Sequence, residues 1–93
     1  MLNINEYFNG AVKSISFTSS TSPASVGVIT LGEYSFATSS AETMHIISGS
    51  AEVKPANAKS WISFNAGEHF KVAANSSFLI RVKGDTAYLC EYC

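Results

Sequence analysis

Glu42 is the residue from which a chemistry can be built. It is a carboxylate in the Ser/Thr/Ala-rich connection between two short strand patterns, Gly32–Thr38 and Met44–Ile47. A carboxylate there can accept hydrogen bonds from a bound ligand. Kept protonated by apolar surroundings, it can instead deliver a proton to a leaving group. Its structural alternative is a loop carboxylate capping backbone N–H groups. Other chemistry-bearing groups are few: one arginine, Arg81, five lysines, His45 and His69, and the pair Cys90 and Cys93. Cys-x-x-Cys spacing can signal redox chemistry or half a zinc site. Here it has no second pair and no helix to lower a thiol pKa, so Cys90 reads as a small apolar strand residue.

Ninety-three residues make a single domain, 1–93, with a modest core. Apolar residues at 46% exclude a disordered tail, and 14% charged residues leave apolar surface to spare, which favours a homodimer. A net charge of −1 offers no basic footprint for a nucleic-acid polymer. No apolar run approaches a membrane span and no signal pattern opens the chain, so a cytoplasmic location is expected.

Strand periodicity positions these groups. In Gly32–Thr38, Tyr34, Phe36 and Thr38 share one face while Glu33, Ser35 and Ala37 share the other. A second unit of the same format runs from Gly67 through Phe70 and Val72, over a polar turn at Asn75–Ser77, to Phe78, Ile80 and Val82. Both units are expected to be hairpins. Upstream, residues 1–8 read as an N-terminal arm closed by Asn9-Gly10, and Val12–Phe17 alternates, with Lys13, Ile15 and Phe17 on one face. Residues 18–24 read as a loop because of Pro23, followed by strands over Ser25–Leu31, Ser50–Lys54, Trp61–Phe64 and Thr86–Tyr92. Eight to ten short strands without an amphipathic helix mean an all-β, antiparallel barrel or jelly-roll.

Gly32, Glu42 and Gly49 resemble a degenerate first cupin motif, in which Thr38 and Ser40 stand where its two histidines would be. Of the second cupin motif only the opening glycine, Gly67, is retained, and Phe78 occupies its histidine position. A transition metal needs several imidazole and carboxylate donors together, so the expectation is a metal-free, cofactor-free cupin. Alternation sends His45 and His69 outward.

The segments NEYFNGAVKSISF, ASVGVITLGEYSF, ETMHIISG and TAYLCEY resemble the small cupin-type pyrimidine/purine nucleoside phosphorylases along essentially the whole chain. One departure is Val72-Ala73, where members often read Val-Pro. The resemblance implies cleavage of purine and pyrimidine nucleosides with phosphate as co-substrate, giving free base and ribose 1-phosphate. Such chemistry needs a group at the sugar or base, donors for phosphate and an apolar wall for the ring. The candidates are Glu42 and Thr38 as catalytic residues, and Tyr34, Phe36, Phe78 and Tyr88 as the substrate wall. Phosphate falls to Lys13, Ser25, Ser77 and Arg81, although alternation turns Arg81 outward unless it reaches across a dimer. A second reading of the same residues is a non-catalytic, metal-free cupin that binds a small sugar or nucleoside.

Overall fold

The computed structural model describes residues 2–92. Its strands are β1 (Asn3–Tyr7), β2 (Val12–Thr18), β3 (Pro23–Ile29), β4 (Gly32–Ala37), β5 (Glu42–Ser48), β6 (Ser50–Pro55), β7 (Ile62–Asn65), β8 (His69–Val72), β9 (Ser77–Val82) and β10 (Thr86–Tyr92). They form two antiparallel sheets, a larger one in the order β1-β2-β3-β10-β5-β8 and a smaller one in the order β4-β9-β6-β7. The sheets pack face to face as a cupin-like jelly-roll instead of closing into one barrel.

Alternation accounts for the core. Thr86, Tyr88 and Cys90 of β10 point inward, as do Phe78, Ile80 and Val82 of β9. Val12, Ile29, Met44 and Ile46 of the larger sheet meet Tyr34, Val53, Phe78 and Ile80 of the smaller. Ile29 and Ile80 are fully buried, and each contributes about 1.5–3 kcal/mol relative to an exposed side chain. Between β5 and β6, Gly49 holds φ at +87°, and a Cβ there would stand 2.8 Å from Thr86 Oγ1. Any other residue would strain the backbone and collide with β10.

Four expectations are corrected. β4 and β5 are not a hairpin, and neither are β8 and β9: β4 pairs with β9, and β5 pairs with β8 and β10. Each polar connection carries the chain from one sheet to the other, which local alternation cannot reveal. The N-terminal arm contains strand β1, paired with β2 from Asn3↔Ser16 to Tyr7↔Val12. Pro23 opens β3, a position where a missing N–H is tolerated. On β2 the inward face is Val12 and Ser14, while Lys13 and Ile15 are exposed. The period was legible there, but the outer face is as apolar as the inner one.

Candidate active site

A cavity of about 250 Å³ opens between the sheets. That is close to the lower end of the roughly 300–1,000 Å³ typical of small-molecule sites. Its aromatic side comes from β4, β9 and the 3-10 turn Phe8–Gly10. Phe36 and Phe78 stack at 5.7 Å between centroids with planes 28° apart. Phe8 meets Phe36 edge-on at 5.6 Å, and Tyr7 meets it edge-on at 6.4 Å. The opposite side is polar and belongs to the larger sheet: Ser14 on β2, Glu42 on β5, and Tyr88, Cys90 and Tyr92 on β10.

Glu42 begins β5 directly across from Tyr92 and is half-buried. Burial raises its carboxyl pKa above the ordinary 4.5, an effect partly offset by a hydrogen bond from the Cys90 thiol. Burial, reinforced by the Glu42 charge, pushes Cys90 up to about 12. Tyr92 is pushed up to about 12, chiefly by burial. The Tyr88 phenol is raised further, also by burial, against a smaller lowering effect from Ser14. These hydroxyl and thiol groups therefore stay protonated at neutral pH and act as donors. Among the described residues, Glu42 is the one carboxyl on the polar side, and no lysine or arginine lines the cavity.

The structure brings Glu42, Phe36, Phe78 and Tyr88 together around one space. Other candidates stand elsewhere. The Thr38 hydroxyl donates to the Ala73 carbonyl at 2.7 Å and accepts the Ser76 N–H at 2.9 Å, so it fastens the turn between β8 and β9 and lies off the cavity wall. The Tyr34 hydroxyl donates to the Thr30 carbonyl at 2.8 Å, and its ring packs behind the wall against Phe8 at 5.0 Å. Ser25 is buried one layer back, 2.9 Å from the Tyr92 hydroxyl, which it helps to fix.

The proposed phosphate cations are displaced further. Lys13 is exposed on the outer face of β2. Arg81 points away from the core, with Nε on Glu52 Oε1 at 3.0 Å and its guanidinium 3.9 Å from the Trp61 ring centre. Ser77 is exposed on separate surface grooves. Tyr7, Phe8, Ser14, Cys90 and Tyr92 were absent from the sequence-derived site. Ser14 was betrayed only by its alternation with Lys13, and Tyr7 and Phe8 by aromatic character in a segment read as an arm.

His45 and His69 face outward with ring centres 5.4 Å apart, and His45 Nε2 lies 2.6 Å from Glu91 Oε1. Cys93 lies outside the described residues. Among the described residues, no three His, Cys, Asp or Glu side chains converge as metal ligands. The residues at the cupin ligand positions do not fit a transition metal, because the Thr38 hydroxyl is committed to backbone and Phe78 offers only its ring.

From residue 2 to residue 92 the sequence matches the family described as pyrimidine/purine nucleoside phosphorylase. The chain belongs to this family. A pyrimidine/purine nucleoside phosphorylase of Pseudomonas putida (strain GB-1) is 54% identical over 92 residues, covering 99% of this chain and 98% of that one. A protein of the same name from Hahella chejuensis is 53% identical, with 99% of each chain covered. The structure is also similar to a solved protein of unknown function from Vibrio parahaemolyticus, at TM-score 0.96 and 43% identity over 100% of this chain and 99% of that one. An RmlC-like cupin from Shewanella frigidimarina superposes at TM-score 0.77 with 15% identity, covering 99% of this chain and 83% of the other, and speaks for the cupin fold alone.

Proposed function

We infer that this family member is a nucleoside phosphorylase that transfers the pentose of purine and pyrimidine nucleosides to phosphate. The observation that carries the reading is the opposition of one half-buried carboxyl, Glu42, to the stacked Phe36–Phe78 wall across one cavity. In the reaction the C1′–N bond breaks and its electron pair leaves with the base. A phosphate oxygen forms the new bond to C1′ from the other face. Positive charge develops on the ribose ring and negative charge on the base.

The residues divide this work. The aromatic wall accepts the flat base by stacking and presents no ordered polar pattern to a base edge, which suits both purines and pyrimidines. Glu42 accepts ribose hydroxyls as the carboxylate, or protonates the departing base from its burial-favoured neutral form. Phosphate is held by hydroxyl and backbone N–H donors, since the cavity wall carries no cation from this chain.

We further place a homodimer contact on the outer face of the larger sheet. There Ile4, Ile15, Val26 and Leu89 pair strand to strand in one apolar row. Ile4, Ile15 and Val26 are all exposed in the single chain. No helix of the described residues is long and apolar enough to cross a membrane. A cytoplasmic location is part of this proposal.

Incubation with uridine and with adenosine, each with and without phosphate, tests the activity. Release of uracil and adenine only when phosphate is present is the expected result. Nucleoside binding without base release would leave a non-catalytic cupin in its place.

A further inference from the structure

Tyr88 lies in a setting that core packing alone does not call for. Its cross-strand partner on β3 is Gly27, and beyond Gly27 on β2 stands Ser14. A Cβ on Gly27 would fall 2.6 Å from both Cζ and the hydroxyl oxygen of Tyr88. The phenol therefore lies across β3 in the space that any other side chain would fill, and its hydroxyl end comes against Ser14.

Ser14 is in turn held from the far side. Its buried Oγ accepts from Asn5 Nδ2 at 3.3 Å, and the same nitrogen donates to Ser16 Oγ at 2.8 Å. With its oxygen engaged by Asn5, Ser14 keeps its proton to donate. Both Ser14 and Tyr88 line the cavity, on the side facing Phe36 and Phe78. A glycine in a strand interior is a cost unless something must approach closely, and here the thing that approaches is a phenol bearing a hydroxyl.

We propose that the Ser14 and Tyr88 hydroxyls form a sugar ledge that takes the 2′ and 3′ hydroxyls of a ribonucleoside, with Asn5 and Gly27 as positioning residues. Ser14 donates to the Tyr88 oxygen, so the pair presents the Tyr88 O–H as donor and the remaining lone pairs of both oxygens as acceptors, which complements a vicinal diol that is donor and acceptor at once. They lie across from the aromatic wall, so a base stacked on Phe36 and Phe78 directs its sugar toward them. The inference rests on the nucleoside reading above and adds which side of the cavity holds the sugar.

Calorimetric titration without phosphate tests it, using uridine, 2′,3′-dideoxyuridine and uracil on the full chain and on Ser14→Ala and Tyr88→Phe. Each substitution should raise the Kd for uridine at least about fivefold, the scale of one neutral hydrogen bond, and leave the Kd values for dideoxyuridine and uracil unchanged. A smaller change for uridine in either variant, or an equal weakening of all three ligands, overturns the ledge. Gly27→Ala should reproduce the Tyr88→Phe pattern where it folds. Because its Cβ also meets the Lys13 carbonyl at 2.8 Å, the first two variants carry the test. Base release by the unsubstituted protein is measured on the same preparation. Turnover together with indifferent variants removes the ledge alone. A protein that neither binds nor cleaves uridine removes the nucleoside reading and the ledge with it.

Discussion

The Cys90 thiol faces the Glu42 carboxyl inside the cavity, and the two act on each other in opposite senses. The S–H group donates to the carboxyl and favours its ionised form, while the carboxylate makes a thiolate costlier. Burial is the larger cause in both, so Cys90 remains a thiol and is no nucleophile at neutral pH. Glu42 is left as the group on the polar side whose charge state can change as the site opens or fills.

Glu42→Gln should separate function from stability. If Glu42 strengthens its contacts in the transition state, turnover falls by roughly a hundred- to a thousandfold, on the order of 2.7–4 kcal/mol. Stability should move the other way at pH 7. The folded carboxyl has its pKa raised by burial, so the folded state binds more protons than the unfolded one just above pH 4.5. The relative stabilisation is complete below that unfolded value and is lost as pH rises through the folded one. Melting curves should therefore show the variant above the parent at pH 7 and the gap closing toward pH 4. A parent that melts higher than the variant at pH 7 would instead favour a capping role for the carboxylate.

Thr38→Ala is expected to do the reverse. Removing the hydroxyl leaves the Ser76 N–H and the Ala73 carbonyl without their partner, in a turn where Ala73 is exposed and Ser76 half-buried, so that water takes up part of the loss. A loss of about 0.5–1.5 kcal/mol follows, visible as a drop in Tm, while kcat/KM for uridine stays near its parent value. Thr38→Ser should recover most of the stability. A large fall in kcat at unchanged Tm would return Thr38 to the chemistry.

Assembly is readable by light scattering. The unmodified chain should have a dimer mass at micromolar concentration. Ile15→Glu places a charge in the centre of the outer apolar row and should yield a folded monomer. A dimer that survives Ile15→Glu would move the contact to another surface.

Metal content offers a fourth check. With Thr38, Ser40 and Phe78 at the ligand positions, chelator should leave the rate of base release unchanged. About one zinc, iron or nickel per chain by elemental analysis would contradict that expectation.

Strand periodicity carried most of the fold into the sequence. β10 occupies Thr86–Tyr92, the range its alternation predicts, and the inward set Phe78, Ile80 and Val82 is the buried set. What period two does not contain is which face is inside and which strand is the neighbour. Lys13 was turned inward because Ile15 and Phe17 share its face, whereas Ile15 belongs to the exposed apolar row. The candidate site was partly legible for a related reason. Phe36, Phe78, Tyr88 and Glu42 were recoverable from strand phase and motif position. Ser14, Tyr7 and Phe8 depend on β1 folding back along β2, a pairing with no local signature beyond the Asn9-Gly10 turn.

β10 sits at the middle of the larger sheet, flanked by β3 and β5, although it lies furthest along the chain of the ten strands. During synthesis β1, β2 and β3 emerge early and can pair among themselves, while β5 and β8 form a second fragment. Nothing joins the two until β10 leaves the ribosome and inserts between them. The same delay applies to β4, whose one neighbouring strand among the described residues is β9. The exposed edges of β3 and β5 are then open to pairing with other nascent chains, which makes the interval before β10 joins them the time of greatest aggregation risk. Pairings this distant in sequence also place refolding in the slow range, about milliseconds to seconds, where local hairpins would have allowed a faster route.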